Sequence, residues 1–184
     1  MLAFSAIKNN DKVGLILFTD RIEKFVPPKK GRAHILRIIR ELVSFDPTGA
    51  GTNIRQALEY FNHVNKKRSI AFLISDFIDE GYDKILKIIS RKHDVIAVEI
   101  SDQREEDLPN VGMMKLRDAE TNAERWIDTA SPQVRETFRR YWQNRRAERR
   151  RLFIRSKVDA IPIRIDQPYI KPIVDFFKLR ERRL

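Results

Sequence analysis

The chain has 184 residues, the size of one ordinary globular domain, with 42% hydrophobic and 34% charged residues. This composition disfavours disordered and fibrous proteins, and no apolar run reaches the roughly 18 residues that a membrane span needs. The absence of cysteine excludes disulfides, thiol catalysis and cysteine-ligated metal centres. The net charge of +11 is uneven, because residues 131–184 carry 16 Lys and Arg against 6 Asp and Glu. We expect a soluble cytoplasmic protein with a strongly basic C-terminal part.

Near-continuous apolar runs predict buried strands at residues 13–18 (VGLILF), 70–74 (IAFLI) and 95–100 (VIAVEI). The run at residues 161–165 (IPIRI) contains a proline, which is typical of an edge strand or of the entry to a strand. The segment 27–31 (PPKKG) is predicted to be a turn. Because helical patterns alternate with these strands, the fold class is α/β, a doubly wound and mostly parallel sheet flanked by helices.

Apolar residues recur at helical spacing in three segments, near residues 35–43, 54–64 and 85–89. Further along, segments 114–118 and 125–128 flank a polar tetrapeptide at residues 119–122 and predict a β-hairpin.

A long basic helix is predicted to begin after Ser131, because Ser131 and Pro132 form a good N-cap and N1 pair. We expect it to run from about residue 131 to 156. Its apolar stripe is interrupted by Arg145 and Arg149.

Two polar segments next to predicted strands and helices are candidates for a metal site. One is the glycine-rich loop GAGTN, which ends with Gly51, Thr52 and Asn53; the other is SDFID, which begins with Ser75 and Asp76 directly after a buried strand. Ligands of open parallel sheets bind outside the carboxyl ends of the strands, and hydroxyl and carboxylate oxygens suit Mg²⁺. The alternative is structural, since Thr52 or Asn53 could cap the next helix and Asp76 the next turn.

An ordered set of motifs resembles a bacterial family of von Willebrand factor A-like proteins, known as domain of unknown function family 58. The resemblance covers nearly the whole chain. The motifs are NNDKVGL at residues 9–15, PPKKG at 27–31, Gly51-Thr52-Asn53, Arg68-Ser69, Ser75-Asp76-Phe77, RKHDVI at 91–96, DFF at 175–177, and Arg180, Arg182 and Arg183.

The resemblance implies a von Willebrand A-like, Rossmann-like fold as a single domain over residues 1–184, with a metal-ion-dependent adhesion site. In such a site, Mg²⁺ is held by a D-x-S-x-S loop, a threonine and an aspartate, and a carboxylate of the partner protein completes the shell. Thr52 matches the threonine and Asp76 the aspartate. Gly51, Asn53, Ser75 and Asp79 would then lie on the partner-binding surface.

This chain departs from the family pattern because the first loop has no counterpart. Residues 1–7 resemble the last turns of the helix that normally follows that loop. The fold would then lack its first central strand, which normally lies between the counterparts of residues 13–18 and 70–74. We hypothesise that the flanking strands close the gap or that a second chain fills it, as a homodimer through exposed strand edges.

The basic helix suggests a different function, nucleic-acid binding. Its arginines could bind phosphates, and Tyr141 or Trp142 could stack on bases. The alternatives are a solvated helix face and docking to an acidic protein surface. The candidate basic patch consists of Arg139, Arg145, Arg146, Arg149 and Arg150.

An enzymatic alternative starts from the carboxylates near Asp76, which are Asp79, Glu80 and Asp83. Such a cluster could hold Mg²⁺ for phosphoester hydrolysis. No nucleophile or base pair is evident, so we expect no enzyme activity and assign no catalytic residue. The histidines, His34, His63 and His93, show no paired ligand spacing and are expected to have structural or surface roles.

The sequence therefore predicts a protein-binding adaptor module of von Willebrand A type. The resemblance implies a MoxR-type AAA+ ATPase as its partner and Mg²⁺ as its cofactor. Nucleic-acid binding through the Arg-rich helix is the first alternative, and a Mg²⁺-dependent phosphoesterase is the second.

Overall fold

A computed structural model describes residues 9–117 and 123–182. The chain divides into two compact units, Met1–Val64 and Asn65–Leu184. The segment 1–7 and the predicted turn 119–122 lie outside the described residues. The sequence predicts a single domain over residues 1–184. The division into two compact units does not test this, and the single domain stays a prediction.

The first unit is a β-hairpin with two helices. Its elements are β1 (Val13–Phe18), β2 (Ile22–Lys29), α1 (Arg32–Val43) and α2 (Ile54–Val64). The core includes Val26, Ile35, Ile38, Ile54 and Leu58, each less than 5% exposed. The apolar spacing of both helices therefore predicted the faces that they bury.

Two expectations for this hairpin are corrected. The strand β1 was expected to be buried, but it is mostly half-buried and pairs antiparallel with β2, because only three residues connect the two strands. The predicted turn at residues 27–31 is largely strand, since β2 runs through Pro27 and Pro28 to Lys29. The register shifts between the pairs Val13–Lys29 and Leu15–Val26, so the prolines lie at a β-bulge, where a missing N–H is tolerated.

The second unit is built around a three-stranded parallel sheet of order β3, β4, β7. Its strands are β3 (Ile70–Ser75), β4 (Asp94–Ser101), β5 (Met113–Arg117), β6 (Glu124–Asp128) and β7 (Asp159–Arg164), and its helices are α3 (Asp83–Lys92), α4 (Gln103–Glu106), α5 (Pro132–Ser156) and α6 (Ile170–Glu181). The prediction of β7 as an edge strand is confirmed, and β5 and β6 form the predicted antiparallel hairpin.

Helices cover both faces of this sheet. On one face, the ring of Phe177 in α6 lies 6.2 Å from that of Phe72 in β3. On the other face, Arg149 in α5 binds Glu99 in β4, and α3 contacts both α5 and β4. A parallel sheet flanked by helices is thus observed in this unit, while the missing central strand stays a prediction. The strand β3 was also expected to be buried, but Ile70 and Ile74 are 61% and 56% exposed, because within the described residues β3 is an edge strand of its sheet. In the same described residues, β1 pairs with β2 alone.

The long basic helix is α5, with the predicted bounds. Ser131 Oγ accepts a hydrogen bond from Val134 N at 3.4 Å, and Pro132 occupies the first turn. The helix ends at Lys157, whose φ of 55° is left-handed. None of the helices in the described ranges 9–117 and 123–182 is both long enough and apolar enough to span a bilayer.

His93 is buried at the start of β4, consistent with a structural rather than a surface role. It is 2% exposed, and its Nδ1 lies 3.1 Å from Ser69 Oγ. Burial lowers the pKa of its imidazole, with a smaller contribution from the nearby Lys92 charge.

Candidate functional site

The glycine-rich loop of the first unit is held by a carboxylate that the sequence analysis missed, Glu23 of β2. Its Oε1 accepts hydrogen bonds from Thr19 Oγ1 at 2.9 Å and from Gly49 N at 2.6 Å, and its Oε2 accepts from Thr48 Oγ1 at 2.7 Å. Arg21 Nε also lies 3.4 Å from Oε1. These contacts tie the loop before Thr52 to the hairpin.

Glu23 stays ionised at pH values at which a glutamate is ordinarily protonated. Its side chain is 8% exposed. Hydrogen bonding, chiefly from the Thr48 hydroxyl, lowers the pKa of its carboxyl from 4.5 to about 2 and outweighs the effect of burial. Gly49 allows this approach, since a Cβ built there would lie 2.2 Å from Thr19 Oγ1 and 2.9 Å from Glu23 Oε1.

We expect acid to loosen this loop between about pH 4.5 and pH 2. Because the folded pKa of Glu23 is depressed, its contribution to stability is fully present above the unfolded value and is lost as pH falls through the folded value. In an NMR titration, the Gly49 amide proton should move with a midpoint near pH 2. Glu23→Gln should lose this titration and melt at a lower temperature than the unmutated chain at neutral pH.

The control for this titration is Glu59→Gln, which changes an exposed carboxylate of α2. It should leave both the Gly49 titration and the neutral-pH melting temperature nearly unchanged. A Gly49 midpoint near pH 4.5 in the unmutated chain would contradict the Glu23 network.

The end of the glycine-rich loop starts α2. Asn53 Oδ1 accepts a hydrogen bond from Gln56 N at 2.9 Å, so Asn53 caps this helix, as the structural alternative predicted. Asn53 N in turn donates to Thr19 O at 2.9 Å. Gly51 has a φ of 89°, which favours glycine, and Thr52 is half-buried. The role of Thr52 as a metal ligand stays a prediction.

In the second unit, Asp76 follows the carboxyl end of β3 and forms a tight turn. Its Oδ1 accepts from Ile78 N at 3.1 Å and from Ser75 Oγ at 3.3 Å. Ser75 Oγ also accepts from Phe77 N at 3.0 Å. The structural alternative for Asp76 is thus observed, but these bonds occupy one carboxylate oxygen. Within the described residues, Oδ2 has no hydrogen-bond partner.

The turn is fixed by Phe77, whose φ of 59° is left-handed and unusual for an aromatic residue. Phe77 is 2% exposed, and its ring lies 5.1 Å from that of Phe153 in α5. Burial of this ring therefore holds the backbone that presents Asp76. Further along the same loop, the half-buried Asp79 accepts a hydrogen bond from Glu80 N at 2.7 Å.

Two arginines that interrupt the stripe of α5 bind carboxylates next to this turn. Arg149 Nε donates to Glu99 Oε1 at 2.9 Å, and Glu99 pairs in register with Ser75 at the carboxyl end of the sheet. The two side chains are 10% and 13% exposed. Arg145 pairs with Glu80, and this hydrogen bond raises the pKa of its guanidinium. Both interruptions are thus ion pairs, of which Arg149–Glu99 is largely buried, whereas the Glu80 partner of Arg145 is 79% exposed.

The other members of the predicted basic patch differ in their surroundings. Arg139 is bound by Asp107 at 2.8 Å and by Glu136 at 3.3 Å, while Arg146 and Arg150 are exposed. At least three of the five arginines, Arg139, Arg145 and Arg149, are therefore paired with carboxylates within the unit. The sequence does contain an indication of the ion pairs of Arg145 and Arg149, because both arginines interrupt the apolar stripe of α5.

Thr52 lies in the first unit and Asp76 in the second, and their shared metal site stays a prediction. Across the described part of the chain, no three His, Asp or Glu side chains form a group that could hold a metal ion. The predicted site would contain only the Thr52 hydroxyl and the Asp76 carboxylate, and two protein ligands are fewer than the three that define such a group.

The second unit, with a polar turn at the carboxyl end of its parallel sheet, belongs to the class of mixed α/β proteins. Residues 1–148 match the family described as "Protein of unknown function DUF58". The chain therefore belongs to this family.

Two similar proteins come from mycobacteria. An uncharacterized protein of Mycobacterium avium is 29% identical over 160 residues, which are 85% of this chain and 94% of that protein. One from Mycobacterium tuberculosis is 27% identical over 175 residues, or 94% of this chain. The chain spans about half, 55%, of that relative's length. The conserved hypothetical protein BatB of Bacteroides thetaiotaomicron is a similar solved structure, with 13% identity, a TM-score of 0.49, and coverage of 98% of this chain and 84% of BatB.

Proposed function

We propose that this chain is a protein-binding adaptor module of von Willebrand A type that uses Mg²⁺ and serves a MoxR-type AAA+ ATPase. The proposal rests on the family resemblance of the motifs around Thr52 and Asp76. A cytoplasmic location is part of it, because such an ATPase needs ATP.

The observation that carries the proposal is the state of Asp76. It is half-buried at the carboxyl end of a parallel strand, with Oδ1 fixed by Ile78 N and Oδ2 without a hydrogen bond in the described residues. A carboxylate held through one oxygen can offer the other to a cation at little cost in conformational entropy. Thr52 would supply a hydroxyl, and Mg²⁺ would supply a positive charge that attracts a carboxylate of the partner.

The metal is tested first, by thermal melts with and without millimolar Mg²⁺ or Mn²⁺. A cation that binds only the folded chain raises the melting temperature by mass action. We expect this rise in the unmutated chain and its loss in Asp76→Asn, which keeps the acceptor for Ile78 N but removes the charge. Asp175→Asn, at an exposed carboxylate of α6, is the matched control and should keep the rise. An equal rise in all three proteins, or none in the unmutated chain, would contradict the Mg²⁺ site.

The partner is tested separately, with an immobilised MoxR-type ATPase from the same organism. We expect the unmutated chain to bind, and chelation of Mg²⁺ or Asp76→Asn to weaken binding about tenfold, the equivalent of one good charge contact. If neither chelation nor Asp76→Asn weakens binding, then the chain is an adaptor that does not use the Mg²⁺ site. No binding would contradict the adaptor.

The two alternatives are nucleic-acid binding and phosphoester hydrolysis. For the first, three of the five candidate arginines are already bound to carboxylates, which leaves less charge for phosphates. For the second, the hydroxyl beside Asp76 serves the turn, since Ser75 Oγ lies 3.3 Å from Asp76 Oδ1 and accepts a hydrogen bond from Phe77 N. Both stay predictions of the sequence.

A further inference from the structure

The solvent-facing side of α3 combines cations with an exposed isoleucine. Lys84, Lys87, Ile88 and Arg91 are exposed and spaced three or four residues apart, so they share one face of the helix. Ile88 is 56% exposed. Within the described ranges, none of the three cations pairs with a carboxylate. The opposite side of α3 is apolar, since Leu86 and Ile89 are fully buried.

The C-terminal half of α5 repeats this combination. Arg150, Arg151, Ile154 and Arg155 are exposed, and their spacing also places them on one side of the helix. Ile154 is 67% exposed. Arg155 Nε donates to Arg151 O at 3.4 Å, and no carboxylate in the described part of the chain binds any of these three arginines. The arginines of α5 therefore fall into two groups. Arg145 and Arg149 are paired with carboxylates, whereas Arg150, Arg151 and Arg155 are exposed and have no carboxylate partner in the described residues.

The two helices are neighbours in the second unit, and α3 contacts α5. We define the cationic face as the exposed sides of these two neighbouring helices, with Lys84, Lys87, Ile88, Arg91, Arg150, Arg151, Ile154 and Arg155. The carboxylates of the same two helices are Asp83, Glu136 and Glu148, and Glu136 is paired with Arg139 and Arg140. Cations therefore outnumber carboxylates on these helices. Each isoleucine lies within one turn of three cations.

We propose that the cationic face binds the surface of an anionic phospholipid bilayer. Phosphate headgroups attract lysine and arginine, and the acyl boundary below them accepts isoleucine side chains. A nucleic-acid backbone would satisfy the cations but would leave two isoleucines against charged phosphates. The bilayer surface is therefore the anionic partner that suits both kinds of side chain.

The test is co-sedimentation of the chain with vesicles of phosphatidylcholine, with and without about one-third phosphatidylglycerol. We expect binding to the anionic vesicles only. Arg150→Gln/Arg151→Gln should weaken it about 30-fold, at the usual contribution of a basic residue near an anionic surface. Ile88→Ser/Ile154→Ser should weaken it about tenfold and remove the part that resists added salt.

The matched control is Arg125→Gln/Lys178→Gln, which removes the same charge from exposed positions outside the cationic face. It should change binding less than about threefold, because charges beyond a Debye length are screened. All variants are first checked for an unchanged circular dichroism spectrum and melting temperature, so that loss of binding reports the surface.

Three results would overturn the proposal. The first is no binding of the unmutated chain to anionic vesicles. The second is an equal loss in the control, which would mean diffuse attraction by the net charge of +11. The third is an unchanged affinity of Ile88→Ser/Ile154→Ser together with tight binding of a labelled DNA duplex, which would identify a phosphate-backbone surface instead. None of these results depends on Asp76 or on the ATPase.

Discussion

Glu99→Gln is expected to lower the free energy of unfolding of the second unit by about 3–5 kcal/mol, because it leaves Arg149 charged and largely buried without its partner. The Arg149 and Glu99 side chains are only 10% and 13% exposed, and α5 holds the guanidinium against the sheet. Urea unfolding followed by tryptophan fluorescence measures the effect, since Trp126 and Trp142 both lie in this unit.

Two further variants separate the pair from its surroundings. The double variant Glu99→Gln/Arg149→Met should recover most of the loss, because it removes the unpaired charge and keeps the volume. Glu136→Gln breaks exposed pairs on the same helix and should cost less than about 1 kcal/mol. If Glu99→Gln costs no more than Glu136→Gln, then the charges of the pair are exposed to water and the buried ion pair is wrong.

Phe77→Ala should be as damaging, with an expected loss of about 3–5 kcal/mol for an almost fully buried aromatic ring. The ring packs against Phe153 at 5.1 Å and against Tyr82 at 6.2 Å. The same substitution should free the turn that presents Asp76, so any Mg²⁺-dependent rise in melting temperature should disappear with it. The same urea unfolding measures the loss of stability.

Phe77→Gly distinguishes lost packing from backbone conformation. A glycine normally costs about 1 kcal/mol more than alanine, but at a φ of 59° it avoids the penalty that a Cβ carries. Phe77→Gly should therefore be no less stable than Phe77→Ala. A glycine variant that is clearly less stable would show that residue 77 does not hold this left-handed conformation.

The elements that the sequence predicted well are those with a strong local signal. The bounds of α5 follow from Ser131, Pro132 and the apolar stripe, and β3 and β4 follow from uninterrupted apolar runs. The strand β2 was missed because Pro27 and Pro28 favour a turn locally. Pairing with β1 across a bulge overrides that preference, and pairing is a tertiary property that a single segment does not carry.

The sequence predicted only part of the candidate site, because some of its contacts form only in the folded chain. Asp76 could be found because it directly follows an uninterrupted apolar run, which the structure shows to be the strand β3. Glu23 could not, because its partners come from Thr19, Thr48 and Gly49, which only the fold brings together. Glu99 lies within an apolar run, so its ion pair could not be predicted from that segment alone. The only indication in the sequence was that Arg149, its partner, interrupts the apolar stripe of α5.

The prolines of β2 and β7 have a consequence for the behaviour of the chain at high concentration. Both strands lie at sheet edges in the described part of the chain, where free N–H and C=O groups can recruit a strand from another molecule. Pro27, Pro28 and Pro162 have no N–H to offer, and the bulge in β2 further disturbs a regular ladder. These residues protect two edges against aggregation, and in β2 they do so at positions where the local sequence preference had argued against a strand.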